Sequence, residues 1–580
     1  MREYSADVLI VGAGGAGLRA AVAAREAGAD VLVIEKGSPG EAGCTRNSAS
    51  DWMAYAAAFG HADPADSPHE HWLDIMIKGG LVARPELARR IAFESPDRLV
   101  DLEAYGASFD KKNGKFIQIL SDGARFPRAC GKGTDTGTEI VRVLLAKAKD
   151  LGVRFVERVM AADLIITDST PKRVLGCWGL CLETGGMAVF NAPAVIAATG
   201  GAGGLYSFNV FPEGMTGDGV AMAYRAGARL ANMEFIQIGP CIIHPLKFAL
   251  SGVFWRMTPK IVNGRGDEFL TGRVPPEIDL AKALHLKGVS FPFSVRNESM
   301  YVDIAIYEEI TSGEAGPHGG VFLDITHNPP SEIESKARVP FEHLLERGVD
   351  IRKEPVEFAP SIQHFNGGVL IDESASTDIE GLYACGEAAG GQHGADRPGG
   401  NALADSQVYG AIAGSEAAKY SSHRRSQSEL ARTMAERQLR TLLASPSSAG
   451  SDWHGVLAGI QSMMWRNVSV VRTERGLSEA ASSLSIAVGQ LARARPADTR
   501  SYLELRNLLD IGHAVVAAAR ARSESRGTHY RADYPARDDG NWIKQILLRY
   551  TGKLPEVQTV PVQVTDEVAE GLRAGGLERE

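Results

Sequence analysis

The sequence predicts an α/β fold: a Rossmann-like dinucleotide-binding domain, interrupted by an inserted α+β capping domain and followed by a C-terminal helical domain. Three observations predict it. The chain opens with a strand, a glycine turn, a helix and a second strand in "ADVLIVGAGGAGLRAAVAAREAGADVLVIEKG" (6–37); a strand-turn-helix pattern returns after residue 356; and beyond Ser421 the pattern turns helical.

In the first turn Gly12, Gly14 and Gly17 form GxGxxG, with Gly15 and Ala16 between them. Glycine there permits a tight turn, lets a backbone approach a pyrophosphate and packs the helix on the sheet. Glu35 ends the second strand, eighteen residues beyond Gly17, where an acid hydrogen-bonds a ribose hydroxyl, and Lys36 follows it. Two further apolar runs end in small residues: "APAVIAATGGAGGLY" (192–206) at Thr199, Gly200 and Gly201, and "IEGLYACGEAAGG" (379–391) at Gly386 and Glu387. Three such strand ends line one extended cofactor, an arrangement that resembles the two-dinucleotide-binding flavoproteins. That resemblance favours FAD over a nicotinamide.

Composition narrows the class. With 62 basic and 71 acidic residues among 580, the net charge of -9 argues against a nucleic-acid surface, and no apolar run is long enough to insert in a membrane. The N-terminus runs straight into a strand and reads as that of a cytoplasmic protein. Six cysteines show no disulfide framework and no CxxC pair, so no metal is expected; Cys177 and Cys181 read as thiols in a strand.

The stretch "HGADRPGGNAL" (393–403) resembles the "HGANRLGGNSL" signature of the succinate dehydrogenase, fumarate reductase and L-aspartate oxidase flavoprotein family, with Asp396 and Pro398 where Asn and Leu are usual. "RACGKGTDTGTEIVRVLLAKA" (128–148), "TGDGVAMAYRAGARLANMEFIQ" (216–237), "VFLDITH" (321–327), "VRTERGLSEA" (471–480) and "ARSESRGTHYRADYPARDDGNW" (521–542) read like its segments too. The expected layout is an FAD-binding domain in 1–238 and 356–420, a capping domain in 239–355 containing a helix at "VPPEIDLAKALH", a helical domain in 421–556 and a tail in 557–580, with no strong strand signal after Ser421 until "VQTVPVQV".

The resemblance implies FAD contacts at the first turn, Glu35 and Lys36, at Thr45, Arg46 and Ser48, at Thr199, Gly200, Gly201 and Asp218, at Gly386 and Glu387, and at Asn401, Ala402 and Leu403, where a helix opens. Its chemistry is hydride transfer between flavin N5 and a carbon next to a carboxylate. A planar guanidinium holds a carboxylate by two hydrogen bonds, and Arg397 among glycines resembles the family's substrate-carboxylate arginine, with His364 in "APSIQHFNGGVLID" in the place of its carboxylate-binding histidine. His393 opens the signature and serves through its backbone.

Three departures matter. Covalent members attach FAD through a histidine in "TRSHT"; here "CTRNSAS" has Ser48, so FAD is expected to be noncovalent, and Trp52 or Tyr55 is a candidate to cover the flavin. The family's "HPTG" would start at Gly239, but His244-Pro245 comes five residues late; either His244 enters the site or the substrate lacks a second carboxylate. The proton-shuttling arginine of "RGEGG" is absent, leaving Arg256 as candidate acid, with Arg265 outside the chemistry in "NGRGDEF" and Arg296 and His327 behind it. The leading reading is a fumarate reductase or succinate dehydrogenase-like oxidoreductase acting on a small carboxylate. L-aspartate-oxidase-like and adenylylsulfate-reductase-like enzymes are alternatives, as is an electron-transfer flavoprotein subunit without its own turnover. All of them fit a homo-oligomer or a complex with an iron-sulfur or other electron-transfer subunit.

Overall fold

A computed structural model describes residues 2–48, 50, 53–424, 426–444, 447–448, 452–552 and 554–571. Its centre is a parallel sheet in the order Leu382–Ala384, Ala194–Ala197, Val8–Val11, Val31–Ile34, Arg154–Val156. The three middle strands read as unbroken apolar runs and are fully buried, as a sheet covered on both faces requires. The helix Gly15–Glu26 lies against the helix Asn401–Ser421. Small residues bring the two axes close: a Cβ at Gly414 would stand 2.2 Å from the Ala20 carbonyl oxygen.

An antiparallel cap sheet is ordered Phe248–Ala249, Ile236–His244, Val356–Phe365, Val321–Asp324, Lys260–Val262. The strand Val356–Phe365, read from sequence as the return to the FAD-binding domain, pairs with Ile236–His244 on one side and Val321–Asp324 on the other. The cap helix is shorter than expected, Leu280–Lys287, because the Asp279 carboxylate accepts hydrogen bonds from the Ala281 and Lys282 amides and starts the helix there.

Past residue 427 the helices Ser428–Leu443, Trp453–Val468, Glu474–Arg493 and Thr499–Ala521 follow, the last two packed together. Strands in this stretch depart from the helical reading: the short Ser447–Ser448 and Arg495–Pro496 pair with each other, and Lys544–Arg549 pairs with Leu230–Ala231 on one side and Glu556–Pro561 on the other. The apolar run of Lys544–Arg549 is short enough to serve as helix or strand, and the unpaired edge at Leu230–Ala231 decides. Cys177 and Cys181 lie in the strand Val174–Cys181, and all six cysteines are free thiols. Among the described residues no helix is long and apolar enough to cross a membrane.

Candidate active site

The carboxyl ends of the central strands open into a cavity of about 1760 Å³ that extends to the cap. At the first turn, Gly12 adopts φ +108°, and a Cβ there would stand 2.4 Å from the Ala198 carbonyl oxygen. Gly17 lies away from the cavity and serves packing: its Cβ would meet the Gly12 carbonyl oxygen at 1.9 Å. Gly14 faces the cavity with no atom within 4 Å of where a Cβ would stand, so a ligand can approach its backbone. The Glu35 carboxylate accepts from the Ala13 amide at 2.7 Å and the Gly37 amide at 2.9 Å, which fixes it on the cavity wall. Lys36 donates to Thr216 at 2.9 Å and to Asp218 at 3.0 Å, and its ammonium lies 3.0 Å from Glu504. Burial opposes that charge, but the two carboxylates outweigh it and raise the lysine pKa.

Thr45 accepts from the Gly15 amide at 3.2 Å, and Ser48, Thr199, Gly200, Asp218, Gly386 and Glu387 complete this end of the cavity. Burial pushes the Glu387 carboxyl up to about 7, against the Phe365 and Gly201 amides and the Arg397 charge that favour its anion. The helix Asn401–Ser421 starts after Gly400 at φ +87°, and Ala402 and Leu403 of its first turn line the cavity. Three expected contacts besides Gly17 lie off the wall. Arg46 is exposed and donates to the Gly40 carbonyl at 2.7 Å; the Asn401 amide oxygen pairs with His71 at 2.9 Å in the core; Gly201 backs Glu387, whose Oε1 a Cβ would meet at 2.6 Å.

At the other end Arg397, His364 and Arg256 share the wall. Arg397 is half-buried; it donates to Gln237 Oε1 at 2.6 Å and to the Pro398 carbonyl at 3.1 Å, and its Nε is buried without a partner. Burial lowers its pKa while Glu387 and Asp396 support the charge. His364 pairs through Nδ1 with Asn366 at 3.1 Å, and burial, the Arg397 guanidinium and the His393 ring hold it well below the ordinary imidazole value. Arg256 is exposed at the cap and donates from Nε to the Gly288 carbonyl at 3.0 Å.

His244, expected as a candidate site residue, does not enter the site. It stands exposed at the end of the strand Ile236–His244, its ring stacked on His318 with centroids 3.6 Å apart, outside the cavity lining. The strand simply runs past Gly239 to the cap surface. The space a side chain at 239 would fill holds the Gln363 amide, whose Nε2 is 2.5 Å from the ideal Cβ. Arg265 is exposed and paired with Asp267 and Glu314, while Arg296 lines the cavity and His327 is exposed outside its lining. Tyr55 is buried, bonded to the Ser95 carbonyl at 3.0 Å, and does not line the cavity; Trp52 lies outside the described residues.

Sequence reasoning passed over Gln237, Gln363, Lys78 and Asp122, all on the wall. Strand alternation could have found Gln237, two residues before Gly239 and so on the same face. Lys78 and Asp122 form an ion pair across 44 residues that no local pattern signals.

Residues 7–403 match the family model described as FAD binding domain, and residues 458–571 match the one described as fumarate reductase flavoprotein C-term. The chain belongs to this family: it is an FAD-dependent oxidoreductase of the succinate dehydrogenase and fumarate reductase flavoprotein type. It is 36% identical over 563 residues to a subunit of the fumarate reductase (CoM/CoB) of Methanothermobacter marburgensis, covering 94% of this chain and 97% of the relative. It is 31% identical over 590 residues to L-aspartate oxidase of Streptomyces coelicolor, covering 97% and 94%. Among solved structures, Mycobacterium smegmatis Sdh1 in complex with UQ1 superposes with a TM-score of 0.86 at 31% identity, covering 99% of this chain and 97% of that one.

Proposed function

We propose that this flavoprotein binds FAD noncovalently and exchanges a hydride with a carbon next to the carboxylate of a small acid, with Arg397 as the carboxylate clamp. FAD, when bound, supplies the two-electron step. Its fit to the chain rests on the open backbone at Gly14, on Glu35 fixed for a ribose, and on the first-turn amides at Ala402 and Leu403. Ser48 lines the same cavity, and an alcohol offers no imidazole for a histidyl link.

The observation that carries the reading is the Arg397 guanidinium, held by Gln237 and Pro398 yet keeping a buried, unpartnered Nε on the cavity wall. A buried donor without a partner costs free energy, and a carboxylate arriving there removes the cost. His364 lines the wall beside it as the second anchor. Arg256 moves the proton that accompanies the hydride, adding to or leaving the neighbouring carbon so that a carbon-carbon bond gains or loses one hydride and one proton. The methanogen relative is one subunit of its enzyme, which supports an electron-transfer partner for this chain as well.

The test is Arg397→Ala and Arg397→Lys in FAD-loaded protein, with turnover of fumarate and other 2-enoates read from a reduced dye. Loss of about 100-fold or more in kcat/KM in both variants, with flavin retained, is expected. Turnover within about threefold of the parent in Arg397→Ala ends the proposal. Acid precipitation should release all flavin into the supernatant; flavin remaining on the chain overturns noncovalent binding.

A further inference from the structure

We propose that the acid is a monocarboxylate bearing an apolar substituent, which lies between the loop around Leu120 and the cap segment around Val289; this rests on the function proposed above. Both residues line the cavity, yet Leu120 is 57% and Val289 52% exposed. Ile119, Leu286 and Phe291 line it with them. Single apolar side chains in water are ordinary, but several converging on one concave wall mark a surface built to meet a ligand.

Their position ties this wall to the chemistry. The Leu120 loop is pinned beside the clamp: Ser121 donates to the Gly399 carbonyl at 3.1 Å, and the Gly399 amide donates to the Asp122 carbonyl at 2.8 Å, two residues from Arg397. Val289 follows Gly288, whose carbonyl holds Arg256. A carboxylate at Arg397 therefore leaves the rest of the molecule facing the apolar side chains of these two segments, which Ser121, Asp122 and Ser290 interrupt.

Among the described residues nothing comparable waits for a second carboxylate. Position 239 is glycine, and the neutral Gln363 amide fills the space beside it. Lys78 is bonded to Asp122 and lies 3.8 Å from Asp396, so its charge is already matched. Arg125 is held by Asp74 and Glu70, and Arg296 stands in the field of Asp396. Arg158, whose amide donates to the Gly37 carbonyl, and Arg500, paired with Glu504, line the wall near the first turn, and Arg256 is the proton carrier in the function proposed above.

A buried methylene contributes about 0.8 kcal/mol, which is about fourfold in affinity. Calorimetric titration of FAD-loaded protein with trans-2-butenoate, trans-2-hexenoate, trans-2-octenoate, cinnamate and fumarate tests the proposal. The dissociation constant should fall about fourfold per added methylene, and fumarate should bind at least about tenfold more weakly than hexenoate. Leu120→Asp and Val289→Asp change exposed positions; each should flatten the chain-length series while shifting butenoate affinity less than about threefold. Leu120→Ala should flatten it partly, which guards against a folding defect in the aspartate variants. A flat series in the parent protein, or fumarate binding more tightly than every monoacid, overturns the inference. Arg397→Ala separates the two readings. If it abolishes binding of all the acids while the series is flat, only the apolar lobe is wrong; if it leaves every affinity unchanged, the clamp itself is wrong.

Discussion

At the scale of single residues, two glycines in one turn do different work. A methyl at Gly17 would overlap the Gly12 carbonyl oxygen, a backbone atom that cannot step aside, whereas a methyl at Gly14 meets nothing in the protein. Gly17→Ala should therefore destabilise the flavin-free protein by about 1–3 kcal/mol or more, read as a lowered Tm. Gly14→Ala should leave that Tm unchanged and weaken FAD binding, read by fluorescence titration. Equal Tm losses in both would contradict this division. Glu387 gives the fold a pH dependence. Its folded value of about 7 exceeds the roughly 4.3 of an unfolded glutamate, so the protonated carboxyl is the favoured folded form. Its stabilisation is complete below about pH 4 and is lost as the pH climbs through about 7. In thermal melts of the flavin-free protein Glu387→Gln should flatten the fall in Tm between about pH 5 and pH 7.5; an unaltered slope would show that the group is not buried as described.

At the scale of elements, the cap decides which polar groups meet. The strands Ile236–His244 and Val356–Phe365 run antiparallel, with Gln237 opposite His364 and Gly239 opposite Ser361. This register sets Gln237 behind Arg397 and brings Gln363 to Gly239, while the same strand continues far enough to carry His244 to the surface. Counting residues along "QIGPCIIHP" could not separate a rebuilt loop from a continuous strand, because the apolar run fits both and only the partner strand selects between them. Gly17, in contrast, is legible because its role is local: a Cβ there would strike the carbonyl oxygen of Gly12 in the same turn.

At the scale of the whole molecule, the segment after the last long helix holds the substrate-side loop in place. Arg522 bonds Glu234 and Glu524, each at 2.9 Å, and Arg526 forks onto Glu524 at 2.7 and 2.9 Å while reaching the Gly80 carbonyl at 2.7 Å. Beside them the Thr528 amide donates to the Ala395 carbonyl at 3.1 Å, two residues before Arg397. All of these side chains are buried. Removing one charge from such a network strands the others in a low-dielectric interior. Glu524→Gln should cost about 3–5 kcal/mol in denaturant unfolding, and the surviving folded fraction should show weaker acid binding; a loss below about 1 kcal/mol would mean that water reaches the site.

The sequence by itself determined the dinucleotide turn and the order of strand and helix in the FAD-binding part, and it singled out Arg397 and His364, which both line the cavity, since each depends on residues close together or on a signature read as a unit. Its reading of Arg265 in "NGRGDEF" as away from the candidate site agrees with an exposed residue off the cavity lining. Only the tertiary structure decided that His244 stands outside the cavity, that Asn401 turns its side chain to His71, that Lys544–Arg549 completes a sheet begun at Leu230–Ala231, and that Lys78 and Asp122 meet. Those outcomes depend on which distant partner reaches a given edge or space first. Pairing across hundreds of residues is set by the packing of the whole chain, and no short window of sequence contains it.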